Sequence, residues 1–353
     1  MTNAKEFLKR KDIEISVKRY AIDALSAMTQ GLFASLVIGL IIKTLGEQIS
    51  IHAGPNPFSV FLMAIGSTAM MMVGPAIGVA TAYGLKAPPF VLFASIATGF
   101  LGNMAWTDGG PAGGVAGAFV AALVGCEVGK LVSKETKVDL IITPLVTIAA
   151  GGIVAKLVGP PIGAFMTGLG SVINTATEMQ PFWMGVIISV IVGLVLTSPI
   201  SSSALCIMLG LSGLAAGAAT VGGAAHMIGF AVIGFRTNGV GGIFSHGLGT
   251  AMLQLPNVVK NPWILIPPVL SSAVLGPVAT IMLKMTNVPE GAGMGTSGFV
   301  GQIGTFTSMG FTFDTLWRIV ILHYVLTAIL AFVFFLVFKK FGKIKDEDLR
   351  LPV

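Results

Sequence analysis

Few residues in this chain could do chemistry, and those that could are embedded in apolar sequence. His226 lies in Gly222-Gly223-Ala224-Ala225-His226-Met227-Ile228-Gly229, with no charged neighbour before Arg236. A neutral imidazole in such surroundings can donate and accept a hydrogen bond at once, which suits a polyol or a proton relay. The plainer alternative is a histidine bonded to a neighbouring helix. Glu178, in Thr177-Glu178-Met179-Gln180-Pro181, stands in a helix-breaking stretch before a long apolar run. Its carboxylate could accept hydrogen bonds from hydroxyls, or mark a loop at an interface. Glu290 precedes Gly291-Ala292-Gly293-Met294-Gly295-Thr296-Ser297-Gly298, and Gln302 follows it. That run has the glycine density of a phosphate loop, but it lacks the Gly-Lys-Ser/Thr ending and any preceding strand pattern. It reads instead as a re-entrant tip offering backbone N–H groups, Thr296 and Ser297 to a hydroxylated or anionic solute, with Glu290 and Gln302 adding specificity.

Thr197-Ser198-Pro199-Ile200-Ser201-Ser202-Ser203 sets a proline break beside several hydroxyls. Proline frees backbone carbonyls that a solute or cation can use, so Ser201 and Ser202 are binding candidates; serines that satisfy their own helix are the structural alternative. The group Arg236-Thr237-Asn238, with His246, Gln254, Asn257 and Asn261, is too polar for lipid contact, and Asn238 joins the candidates. Arg236 reads as a headgroup anchor or as the partner of an acidic solute. Asn103 and Asp108 look like a loop beside an interfacial Trp106. Cys126 and Cys206 sit in Gly/Ala-rich runs without a second Cys or His at ligand spacing, so they are packing residues rather than a metal site or a disulfide. No residue presents itself as catalytic.

The elements that must position these groups follow from composition. Of 353 residues, 54% are hydrophobic and only 10% charged, with a mean hydropathy of +0.90. An ordinary soluble domain carries roughly 25% charged residues, so too few charges are present to cover a soluble surface. Apolar stretches near 21–45, 57–84, 88–105, 111–133, 139–158, 182–200, 203–220, 222–236, 263–285 and 317–340 approach the roughly 20 residues needed to cross a bilayer. Barrel strands would alternate over about ten residues, and such runs are absent. The expected fold class is therefore all-α, a polytopic membrane helix bundle of about ten spans with re-entrant glycine-rich hairpins. Gly159 to Gln180, Gly239 to Asn261 and Pro289 to Phe313 are the segments expected to be re-entrant or horizontal. The 46 Gly and 18 Pro imply frequent helix breaks, which survive at membrane depth only against protein or a wet cavity. That favours a transporter over a simple anchor.

The net charge of +6 does not imply nucleic acid, because the basic residues cluster at Lys5 to Arg19, Lys130 to Lys137 and Lys339 to Lys345, flanking spans. By the positive-inside rule all three clusters face the cytoplasm. The expected organisation is an amphipathic cytoplasmic segment over 1–20, an integral transport domain over 21–340 and a cytoplasmic tail over 341–353.

Several motifs in order then carry a resemblance: Tyr83-Gly84-Leu85-Lys86-Ala87-Pro88-Pro89, Lys134-Glu135-Thr136-Lys137-Val138-Asp139, Thr143-Pro144-Leu145-Val146, Pro199-Ile200-Ser201-Ser202, Gly213-Leu214-Ala215-Ala216-Gly217-Ala218-Ala219-Thr220 and Gly291 to Gly298. Over nearly its whole length the chain resembles the bacterial phosphotransferase-system enzyme IIC-like permeases, in the branch that includes proteins named as toxin regulators. The resemblance implies a sugar permease of the bacterial cytoplasmic membrane, usually a homodimer, working with separate enzyme IIB and IIA chains. It also implies a glutamate and a histidine at the sugar, roles open here to Glu178 or Glu290 and to His226. The surrounding sequence departs from the glucose-type Gly-Ile-Thr-Glu motif.

The leading reading is thus a permease for a sugar or related polyhydroxylated solute, acting by alternating access. A second reading is a cation-coupled transporter, with Na⁺ held by carbonyls near Pro199 and Gly291 or H⁺ relayed by His226. A third, a membrane sensor, has no DNA-binding motif or cytoplasmic domain behind it.

Overall fold

A computed structural model describes residues 2–107, 112–198 and 200–351. Asp108, Gly109, Gly110 and Pro199 therefore lie outside the described residues. The fold is all-helical: among the described residues only two isolated bridges, Ala105 with Ala112 and Gly213 with Asn287, show extended pairing. The chain divides into two compact units, Met1–Gly168 and Leu169–Val353.

The first unit begins with α1 (Thr2–Arg10), followed by the long apolar α2 (Lys18–Ala53). Asn56 then opens α3 (Pro57–Met71) with a capping box: its side chain accepts from the Phe58 and Ser59 amides while Ser59 Oγ accepts from its own N–H. The apolar stretch 57–84 is not one straight span. It bends by 51° at Met72 into α4 (Val73–Gly84). Proline at the first turn starts α5 (Pro89–Asn103), and α6 (Gly114–Val132) and α7 (Asp139–Leu157) complete the packing. Helix α8 (Gly159–Met179) is continuous over 21 residues, where sequence suggested a re-entrant or horizontal segment.

One end of this unit is tied by buried charge. Lys130, 1% exposed, donates to the carbonyls of Asp12 (2.6 Å) and Leu85 (3.1 Å) and lies 3.3 Å from Glu127. Arg19 reaches Asp12 (2.8 Å) and the Leu85 carbonyl (2.9 Å), and Glu135 pairs with Arg10 (2.7 Å) and Lys11 (2.5 Å). The N-terminal segment, the α4–α5 turn and the α6–α7 turn therefore share one face, as the first two basic clusters led us to expect.

The second unit is organised around α11 (Gly213–Ile233). It is preceded by α9 (Pro181–Thr197) and the short α10 (Ser202–Leu209), and followed by α12 (Phe235–Phe244), α13 (Leu255–Lys260), α14 (Pro262–Met282), α15 (Pro289–Ala292), α16 (Val300–Met309) and α17 (Phe313–Lys340). Helix α11 is 89% buried over its apolar window, so its Ala/Gly composition reflects neighbours on every side rather than lipid. Met227, Phe230 and Ile233 pack with Leu196, Ile264, Phe335, Ile344 and Leu349; Val221 packs with Leu275, Ala279, Met285, Ile319 and Leu322.

Here two expected spans, 203–220 and 222–236, are corrected. The break falls earlier, at Gly210, which caps α10 with φ 60°. The Gly222-Gly223 pair continues the helix because it serves close approach: a Cβ on Gly222 would stand 2.0 Å from the Ser189 carbonyl oxygen. Among the described residues, six helices (α2, α6, α7, α11, α14, α17) are long and apolar enough to cross a membrane, and α3 with α4 makes a seventh if the bent pair is one span. Helices α5 and α9 are apolar but shorter.

The tail is docked rather than free. Asn238 donates to the Leu349 carbonyl (2.8 Å) and accepts from the Leu351 amide (2.9 Å), Gln254 also donates to Leu349 (2.9 Å), and Asn257 donates to the Arg350 carbonyl (2.8 Å). Asn261 bridges the Lys343 carbonyl and Asp348.

Candidate functional site

The glycine-rich run is partly non-helical, as its composition predicts. It passes from α15 through turns at Gly293 to Thr296 and a single tight turn, Ser297–Phe299, before α16 begins. Gly295 and Gly298 adopt φ 54° and 52°, the left-handed conformation for which glycine is suited. The hairpin is pinned at its base by Asn287. This side chain donates to Thr220 Oγ1 (2.7 Å), the Gly301 carbonyl (2.9 Å) and Thr305 Oγ1 (3.2 Å), while Asn287 and Gly213 exchange backbone hydrogen bonds. Its tip lies against α11, where the Gly295 Cα is 2.9 Å from the place a Gly223 Cβ would occupy.

Three of the sequence-predicted residues meet this hairpin directly. Ser202 Oγ donates to the Gly293 carbonyl at 2.7 Å, Gln302 Nε2 to the Gly295 carbonyl at 3.3 Å, and Thr296 Oγ1 points to Met227 Sδ at 3.6 Å. His226, one residue before Met227, is fully buried. Its Nδ1 lies 2.7 Å from Thr197 Oγ1. That hydroxyl has a carbonyl to donate to, Gly193 O at 3.1 Å, and carries a single proton. The hydroxyl proton can go to Gly193 O or to Nδ1, and these two choices put the imidazole proton on Nδ1 or on Nε2 respectively. Nε2 has no protein partner among the described residues and sits over Gly193, where a Cβ would come within 2.7 Å of it.

A second buried pair adjoins the hairpin. Gln302 Nε2 also donates to His323 Nδ1 at 3.0 Å, so the His323 proton is on Nε2. Both His323 Nε2 and Gln302 Oε1 are without a partner among the described residues. Buried polar atoms left unpaired are uncommon and costly, yet here three, His226 Nε2, His323 Nε2 and Gln302 Oε1, occur on elements touching one hairpin.

The remaining candidates are placed differently. Ser201 caps α10, accepting from the Ala204 amide at 3.1 Å, and Ser297 is half-buried at the tight turn. Glu290 is half-buried in the first turn of α15, whereas Glu178 is exposed near the end of α8. Neither carboxylate forms a hydrogen bond or ion pair among the described residues. The Asn238 amide bonds the tail, donating to the Leu349 carbonyl and accepting from the Leu351 amide. Sequence reading missed Asn287 and His323. The second was findable, being the one histidine in the apolar run Ile319 to Phe338, where the reasoning applied to His226 holds equally. Both cysteines are buried free thiols, and no cluster of metal-binding side chains occurs among the described residues.

Comparison with known proteins gives one decisive result. The sequence profile of the family described as "Phosphotransferase system, EIIC" matches residues 22–351. Among solved structures, the fold is similar to the crystal structure of the transporter ChbC, the IIC component from the N,N'-diacetylchitobiose-specific phosphotransferase system. That likeness has a TM-score of 0.44 and 14% identity, covering 98% of each chain. No curated protein sequence matches.

Proposed function

The chain belongs to the phosphotransferase-system EIIC family, a family of membrane sugar permeases that work with IIB and IIA components, and from that premise we propose that its sugar site is built on the α15–α16 hairpin and the facing turn of α11. The observation that supports this reading is that His226 Nε2, His323 Nε2 and Gln302 Oε1 are buried without partners on elements that touch the hairpin, which Ser202 and Gln302 also bond directly. A sugar entering a buried site must exchange water hydrogen bonds for protein ones, and each left unmatched costs about 1–3 kcal/mol. Gln302 Oε1 is an acceptor for a sugar hydroxyl proton, His323 Nε2–H is a donor, and His226 Nε2 serves as one or the other according to its tautomer. Glu290 and Ser297, at the two ends of the glycine-rich turn, and Ser201 complete the polar set. Glu178, exposed and unpaired, is outside this site.

The phosphoryl group comes from a IIB component, because Cys126 and Cys206 are buried thiols that no phosphoryl donor can reach. We place the chain in the bacterial cytoplasmic membrane as a homodimer, with the segment 1–20 and the tail 341–353 on the cytoplasmic side of a transport domain spanning 21–340.

The test is His226→Ala in purified, reconstituted protein, with binding of a panel of mono- and disaccharides read by calorimetry. Loss of one or two buried hydrogen bonds predicts affinity lower by about ten- to a hundredfold. A variant that folds like the parent and binds the same sugar equally well overturns the assignment.

A further inference from the structure

The buried ties at one end of the first unit frame a cavity of about 390 Å³ lined by none of the residues proposed for the sugar site. Arg10, Lys11, Lys86, Lys130 and Lys134 line it, against the carboxylates of Asp12 and Glu135. Three of the five cations are spoken for. Arg10 and Lys11 pair with Glu135, Lys11 also donates to the Ser133 carbonyl, and Lys130 is held by two carbonyls and Glu127. These contacts hold the walls in place.

Lys86 and Lys134 are different. Both are exposed, and neither ammonium has a hydrogen bond or ion pair among the described residues. Both also occupy left-handed backbone, at φ 57° and 60°, just past the ends of α4 and α6. Glycine is the usual residue there, since a side chain is disfavoured in that conformation. Two lysines at two such positions, on the rim of one cavity, help make a net positive pocket of five cations against two carboxylates, in which the Lys86 and Lys134 ammonium groups feel Asp12 and Asp139 but are bonded to neither. The complementary ligand is a compact anion with several acceptor oxygens, a phosphate group.

The cavity's height selects the source of that phosphate. Its lining comes from the ends of apolar helices, and Ile15 and Val17, 82% and 80% exposed, stand between α1 and the start of α2. Exposed apolar side chains beside basic ones describe the membrane–water boundary, and basic pockets between helix ends at that level take lipid headgroups. The geometry points to the Lys86/Lys134 cavity as a binding site for the phosphate of an anionic phospholipid, which staples the N-terminal segment to the α4–α5 and α6–α7 turns.

The protein is reconstituted in nanodiscs of phosphatidylcholine containing phosphatidylglycerol, extracted into mild detergent, and the lipids it retains are counted by native mass spectrometry. The wild type should keep one phosphatidylglycerol selectively, and high salt should weaken that retention but not the retention of phosphatidylcholine. Lys86→Gln with Lys134→Gln should lower it about tenfold, two ammonium contacts being lost. Lys156→Gln, which removes an equal charge at the other end of α7, should leave it unchanged. Equal retention by the double variant, an equal fall in Lys156→Gln, or retention in the wild type that ignores salt overturns the site. Binding of inorganic phosphate or glycerol 3-phosphate by protein in pure phosphatidylcholine, at the affinity shown for phosphatidylglycerol, overturns the lipid as its ligand. The salt series on the wild type decides the matter even if a variant fails to fold, and none of these readings depends on where sugar binds.

Discussion

Replacing Gly222 by Ala adds one methyl group where α11 packs closely on α9. An ideal Cβ there would stand 2.0 Å from Ser189 O and 2.6 Å from both Ser189 C and Ser189 Cα, all backbone atoms of α9 that cannot rotate away. Ordinary carbon contacts need roughly 3.5 Å, so the two helices must part by about 1.5 Å. Ser189 also joins α9 to α14 through its 2.8 Å hydrogen bond to the Ser272 carbonyl, which that displacement strains. Overpacking of about 1–3 kcal/mol and a weakened buried hydrogen bond of about 1 kcal/mol give a loss of about 2–4 kcal/mol, or a midpoint lower by about 5–10 °C. The chain supplies its own reporter, because Cys126 and Cys206 are both 0% exposed and become reactive to a thiol-specific fluorophore only on unfolding. Gly241→Ala is the control: it lies in α12 with nothing within 4 Å of its Cβ position, so it should be neutral or stabilising by about 0.5–1 kcal/mol. A Gly222→Ala protein that melts with the wild type refutes the proposed contact between α9 and α11.

Asn287→Ala should be among the most damaging single changes, by about 3 kcal/mol or more in the same melting assay. It strips partners from Thr220, Gly301 and Thr305 in a buried site and frees the hairpin. Leu349→Ala should loosen the tail without unfolding the second unit, seen as faster cleavage after Lys343 or Lys345 by trypsin, because Leu349 is fully buried against Ile233, Phe335 and Ile344. The hydrogen bond from Arg19, aided by its charge, holds the Asp12 carboxyl below the usual carboxylate range. A lowered folded value stabilises the protein above the unfolded value and ceases to do so as pH falls through the folded one. Asp12→Asn should therefore lower the melting midpoint at neutral pH and converge with the wild type as the pH falls through the lowered folded value; a gap that persisted in acid would count against the pairing.

What sequence could say about this fold depended on whether a residue's role was local. The long apolar helices and the shared face of the first two basic clusters followed from hydropathy and charge, which act on each segment separately. The positions of breaks did not. Gly222-Gly223 and Gly210 are the same residue type, but one lies mid-helix against the α9 backbone and the other reverses a chain, and only the neighbour distinguishes them. The same holds for the site. His226 was visible as an isolated polar group, and Gln302 and Thr296 as polar groups beside a glycine run. Asn287 looked like any loop asparagine until three elements closed around it. Asn238, read as a ligand because it was polar among apolar residues, turned out to have its partner 111 positions away in the tail.

The tail's seat has a chemical character of its own. Four carboxamides, Asn238, Gln254, Asn257 and Asn261, make most of its polar contacts, and carboxamides do not titrate. Most of the attachment is therefore indifferent to pH and to ionic strength. Its charged component includes Asp346, which meets Lys339 at 2.6 Å and Arg236 at 3.8 Å, Asp348, bonded to Asn261, and Lys343, whose ammonium lies 5.0 Å from the centre of the Trp263 ring. Swings in ionic strength can retune how Asp346 engages Arg236, 70% exposed, while the amide lattice beneath keeps the chain end in register.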